Sequence, residues 1–177
     1  MTTWGAIERL LTELRPRLIV ECSQTPPRPE AIAEAERFFR ASFPKEFRAL
    51  LAETDALYIE AKPEFWPKRG GGPAAALMNG FGTFGIGADV PKGLRLDTHL
   101  RRIRRELRNA SIDAEMLPVL QRVGDDGTFG YVANRFSYWS PSSGKVRELE
   151  QGLFDVILSA LGDLRTYMRP THALEHE

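Results

Sequence analysis

Leu117-Pro118-Val119-Leu120-Gln121-Arg122-Val123-Gly124-Asp125-Asp126-Gly127-Thr128-Phe129-Gly130-Tyr131-Val132-Ala133-Asn134-Arg135-Phe136-Ser137-Tyr138-Trp139-Ser140 is the stretch whose reading decides the fold. Its β-branched and aromatic residues gather in short runs over residues 117–123, 129–133 and 136–140, and Gly124-Asp125-Asp126-Gly127 supplies the residue types of a tight turn. The pattern predicts a meander of antiparallel strands. Pro141-Ser142-Ser143-Gly144 marks another turn, and residues 145–149 a further short strand. Leu153, Phe154, Ile157, Leu158, Leu161 and Leu164 then recur at helical spacing and predict a closing helix.

Upstream of the meander the periodicity is helical. Trp4, Ile7, Leu11, Leu14 and Leu18 fall on one face of a helix that ends near Pro16, with Thr2 or Thr3 as its cap. Thr25-Pro26-Pro27-Arg28-Pro29 cannot continue a helix but can start one, because proline fits the first helical turn. The next helix is expected over residues 30–41, with Ile32, Ala35, Phe38 and Phe39 inward and Glu34, Arg37 and Arg40 in solvent. A third opens at Pro44 and turns Phe47, Leu50 and Leu51 inward. Leu57-Tyr58-Ile59 are strand formers, and the Pro- and Gly-rich residues 62–73 predict a long irregular loop carrying Phe65 and Trp66, whose rings either pack against the domain edge or meet a partner. Asp97 can cap a helix with Leu100, Ile103 and Leu107 inward and Arg101, Arg102, Arg104, Arg105 and Arg108 outward. Helices, then strands, then a helix predict an α+β fold, with N-terminal helices packed on a mainly antiparallel sheet and a closing C-terminal helix. Residues 1–168 read as a single domain, and residues 169–177 as a disordered tail.

At 177 residues, 42% apolar and 27% charged, the chain can bury a core without disulfide staples. Lys plus Arg and Asp plus Glu both number 24, so no global field draws the chain to nucleic acid or to an anionic membrane. A charged partner must be met by a local patch. Cys22 is alone, which excludes an internal disulfide and predicts a half-buried thiol. The N-terminus has no signal-peptide pattern and no apolar run reaches the ~18 residues of a membrane span, so a cytoplasmic location is expected.

The candidate chemical motifs are weak. Gly80-Phe81-Gly82-Thr83-Phe84-Gly85 has the glycine spacing of a dinucleotide fingerprint, but Ile86-Gly87-Ala88-Asp89-Val90-Pro91 opens no helix to receive a pyrophosphate. A loop and short strand in which backbones approach closely is the reading it supports. His172-Ala173-Leu174-Glu175-His176 has the spacing of an inverted zinc-protease motif, yet it lies at a chain end without a third ligand. His99 has no evident Ser, Cys or carboxylate partner, and Asp125-Asp126 suits a hairpin turn. No catalytic residue, metal or cofactor is therefore expected. The arginines of residues 101–108 have three readings: a solvated helix face paired with carboxylates, a surface for an acidic protein, or a nucleic-acid contact.

Trp4-x-x-Ile7-Glu8, Pro27 leading into Ala31-Ile32-Ala33-Glu34-Ala35-Glu36, and Phe43-Pro44-Lys45-Glu46-Phe47-Arg48-Ala49-Leu50-Leu51 together resemble the opening of the SUKH superfamily. Leu117-Pro118-Val119, Gly124-Asp125-Asp126-Gly127, Tyr131-Val132 and the closing helix extend the resemblance to Leu164. Asp55-Ala56 stands where the family often has Asn-Gly, and residues 63–107 lie outside the resemblance. The resemblance implies an α+β domain of the bacterial immunity-protein branch, a non-enzymatic binder that neutralises a cognate toxin. Phe65, Trp66, Arg101, Arg104, Arg105, Tyr138 and Trp139 are the expected partner-binding residues. A regulatory scaffold for a housekeeping protein is the alternative, and a nucleotide binder or enzyme using the Gly80 to Gly85 loop a third reading.

Overall fold

The computed structural model describes residues 3–23, 25–66 and 79–168. Among them the chain forms α1 (Trp4–Leu14), β1 (Leu18–Cys22), α2 (Pro29–Phe39), α3 (Lys45–Glu53), β2 (Leu57–Ala61) and β3 (Gly80–Thr83). It continues through α4 (Leu96–Asn109), β4 (Met116–Arg122), β5 (Thr128–Val132), β6 (Arg135–Ser140), β7 (Lys145–Glu148) and α5 (Leu153–Tyr167). The fold is α+β, as the order of patterns predicts. The strands form one seven-stranded sheet in which every neighbour is antiparallel and spatial order follows chain order from β1 to β7. Residues 67–73 of the expected loop, and the tail with His172 and His176, lie outside the described residues.

Strand alternation assigns the two faces of the sheet. Leu18, Ile59, Phe81, Leu120, Phe129, Tyr131 and Phe136 join the main core with Ile7 and Leu14 of α1, Phe47, Leu50 and Leu51 of α3, and Ile157 and Leu161 of α5. Met116 and Trp139 project the other way and pack with Ile103 and Leu107 of α4. The sheet is thus covered by α1, α3 and α5 on one side and by α4 on the other.

Proline positions explain several boundaries. Pro16 sits in the 3-10 turn Arg15–Arg17 and stops α1 at Leu14, because a proline has no N–H to continue the ladder. Pro29 opens α2 as its first residue, and Pro44 occupies the N-cap of α3. Pro118 lies within the central strand β4, where a missing N–H is tolerated only at a break in the ladder. There the register against β5 shifts, between Pro118 and Leu120.

The structure corrects several expectations. Leu18 begins β1 instead of extending the α1 face, and β1 itself is a strand that the helical reading of the first fifty residues overlooks. Phe38 is 79% exposed, since it lies off the Ile32-Ala35-Phe39 line that seats α2. Cys22 is exposed, because burial fades along β1 and the thiol stands at the end of an edge strand. Asp97 does not cap α4; the helix starts at Leu96, and the Asp97 carboxylate takes Arg95 Nε at 3.2 Å and Arg101 Nη2 at 2.7 Å. Thr3 occupies the N-cap position of α1 without a side-chain cap hydrogen bond.

Candidate partner-binding surface

The buried side of α4, with Leu96, His99, Leu100, Ile103 and Leu107, fixes the helix against the sheet. The helix is therefore a rigid mount for what it carries outward. Arg101, Arg104, Arg105 and Arg108 are exposed on that outer side. Arg101 pairs with Asp97, whereas Arg104, Arg105 and Arg108 have no ion-pair partner among the described residues. Arg102 differs from its neighbours. It is half-buried, and its Nη2 donates to Gln121 Oε1 at 3.1 Å and to Thr128 Oγ1 at 3.0 Å, tying α4 to β4 and β5. One of the five arginines thus serves the fold, and three present uncompensated charge.

The aromatic residues expected on the same surface are dispersed. Trp139 is 1% exposed, wedged beneath α4 with Nε1 aimed at Glu106 Oε2 at 3.4 Å, so it offers nothing to a partner. Phe65 is 7% exposed and belongs to the main core. Both corrections have one cause: a large apolar ring gains more from burial than from solvent unless the fold leaves it no room. Tyr138 alternates to the opposite face from Trp139, tilts on Phe129 with ring centroids 4.8 Å apart, and donates its hydroxyl to Asp125 Oδ1 at 2.9 Å. Burial, then the Asp125 carboxylate, push its hydroxyl pKa up to about 12. Trp66 remains 40% exposed at the end of β2, its Nε1 donating to the Ala61 carbonyl at 2.7 Å. Of the seven expected residues, only Arg101, Arg104 and Arg105 form one patch.

The glycine-rich stretch is occupied by the fold itself. After β3, Phe84 N–H donates to Val119 O at 3.0 Å and Gly85 N–H to Leu94 O at 2.9 Å. Ile86 and Gly87 donate to the two carboxylate oxygens of Asp55, at 2.7 and 2.8 Å. A phosphate would need these same donors, so the loop is no ready nucleotide cradle. A Cβ on Gly85 would collide with the Asp55 carbonyl, and one on Gly87 with its carboxylate. Here the glycines exist to let Asp55 in. Burial raises the Asp55 pKa, against the lowering effect of the two N–H donors.

A second carboxylate is used in the same way. Glu46 of α3 accepts Leu153 N–H at 3.0 Å, capping α5 from another element, and Tyr131 Oη at 3.2 Å. Desolvation and the Glu46 charge drive the Tyr131 pKa well above its ordinary value. His99 stacks on Phe84 with centroids 3.7 Å apart, its Nε2 bonded to Gly93 O at 2.7 Å and its Nδ1 buried without a partner. Burial lowers its pKa and favours the neutral ring. Among the described residues no group of three or more His, Cys, Asp or Glu is placed to hold a metal, and no helix is long and apolar enough to cross a membrane.

Compared with protein-family models and with curated proteins, the chain matches none.

Proposed function

We propose that this chain is a non-enzymatic protein-binding domain, an immunity protein of the kind implied by its SUKH resemblance, and that it neutralises a cognate bacterial toxin through the outer face of α4. The observation that carries the reading is the row of Arg101, Arg104 and Arg105, exposed on a helix whose opposite side is buried in the sheet. Rigidity matters because arginines on an anchored helix lose less entropy on docking than arginines on a loop. Planar guanidiniums match carboxylates in bidentate pairs, so the face suits an acidic protein surface, and its charge raises the rate of encounter.

The test is co-expression with a toxin encoded beside this chain, scored by growth, together with association kinetics of the purified pair. Wild-type chain restores growth, while Arg101→Glu with Arg104→Glu and Arg105→Glu loses protection and associates about tenfold or more slowly at low salt. The difference narrows as salt rises through the range where the Debye length falls below ~10 Å. Failure of the wild-type chain to protect, or identical kinetics for the variant, overturns the reading.

A further inference from the structure

At the end of the sheet where β4 begins and β5 ends, α2 and α4 flank a groove of about 520 Å³. Its volume falls in the range of ligand pockets, ~300–1,000 Å³. Leu100 and Leu117 are buried in its wall and give it an apolar lining. Arg40, Arg104, Asp113 and Glu115 line it as well, and all four are exposed. None of the four makes an ion pair or a side-chain hydrogen bond among the described residues. Some opposite charges elsewhere do pair, as Arg48 does with Glu36 at 2.6 Å and Arg135 with Glu148 at 2.8 Å, while others, such as Arg105 and Arg108, have no ion-pair partner among the described residues. This groove therefore holds two cations and two anions that the fold leaves unmatched.

Backbone strain gathers at the same place. Arg40, Ala133 and Asn134 have φ of 53°, 48° and 63°, the left-handed region that favours glycine, and all three line the groove. Ala133 and Asn134 form the two-residue turn between β5 and β6, while Arg40 ends α2 in the position where glycine is usual. Strained residues of this kind cluster at binding sites, where a side chain of a particular type is needed at an awkward position.

We infer that the groove docks an extended segment of a partner protein that carries an acidic and a basic side chain around an apolar one. The acidic side chain meets Arg40 and Arg104, the basic one meets Asp113 and Glu115, and the apolar one covers Leu100 and Leu117. A polyanion fits less well, because Asp113 and Glu115 would oppose its charge. The inference rests on the protein-binding reading above and adds to it the chemistry of the bound segment.

The experiment probes the full chain with an array of short synthetic peptides that vary the order and spacing of acidic, apolar and basic residues, with a single-stranded oligonucleotide as counter-probe. Peptides carrying all three classes bind, and Arg40→Glu with Arg104→Glu weakens them about tenfold or more, as does Ser42→Trp at the groove wall. Arg9→Glu on α1, which does not line the groove, leaves them unchanged. Absence of peptide binding, binding indifferent to the groove substitutions, or oligonucleotide binding that the double substitution abolishes each overturns the inference. The two proposals fail separately. Toxin protection without groove-dependent peptide binding removes this one alone, and groove-dependent peptide binding without protection removes the toxin reading alone.

Discussion

Asp55 and Asp113 are both carboxylates beside a loop, and they illustrate two regions built on opposite terms. Around Asp55 both carboxylate oxygens have partners: each takes one backbone N–H, glycines open space for them, and the Leu94 carbonyl closes the same loop by accepting Gly85 N–H. Around Asp113 the charges of Arg40, Arg104 and Glu115 share a groove and pair with nothing among the described residues. The contrast separates chemistry that holds the fold from chemistry available to another molecule. Unusual composition marks the first region, whereas unmatched polar groups mark the second.

The comparison breaks most sharply if the first region proves dispensable. Asp55→Ala leaves the half-buried N–H groups of Ile86 and Gly87 without their charged acceptor and is expected to cost about 3 kcal/mol, read as a lowered urea midpoint with unchanged slope. A loss under ~0.5 kcal/mol would place Asp55 with the uncommitted charges. Glu46→Ala removes the acceptor at the start of α5 and the partner of Tyr131, and is expected to cost about 2 kcal/mol in the same measurement.

Much of this division was illegible in the sequence. The meander, the turn at Gly124-Asp125-Asp126-Gly127 and the closing helix follow from local alternation and turn chemistry, and the strands lie within a residue of where those rules put them. Local rules also identify the inward side of α4 through Leu100, Ile103 and Leu107. What they cannot reveal is long-range pairing. Asp55 reaches the glycines only because β2 and β3 lie side by side, and Glu46 caps a helix that begins at Leu153. The aromatic residues failed for a related reason: strand alternation sends Tyr138 and Trp139 to opposite faces, but which face α4 covers depends on the whole chain. Arg40 gave no signal as a groove residue, since the groove joins α2 to the far ends of β4 and β5.

Between the two regions stand sites where a local misfit is tolerated. His99 is held neutral by burial, with a folded-state pKa below the ordinary 6.5. On acidification the unfolded chain therefore takes up this proton first. The His99 contribution is unchanged above about pH 6.5 and stability declines as the pH falls from there toward the folded-state pKa. Denaturant midpoints across that window should show the slope, and His99→Gln, which keeps a donor for Gly93 O, should flatten it. Ala133, at φ 48°, is expected to gain about 1 kcal/mol on replacement by glycine, seen as a rise of about 2–4 °C in Tm. If the strain at the β5 to β6 turn serves the groove, Ala133→Gly stabilises the fold while weakening peptide capture.

The smallest effect on stability belongs to the arginines, and this is what makes them informative. Arg104 and Arg105 are exposed and without an ion-pair partner among the described residues, so replacing both with Glu should move the unfolding free energy by less than ~0.5 kcal/mol. Glu at position 105 would lie one helical turn from Arg101, and the pair it could form there is worth only ~0.3–0.5 kcal/mol. A destabilisation of several kcal/mol would show that these side chains hold the fold in some way that their exposure conceals. The expected near-zero change is the condition for interpreting lost binding as lost recognition: where the thermal unfolding curves of variant and wild type superimpose, a tenfold slower association can only come from the surface that the two molecules do not share.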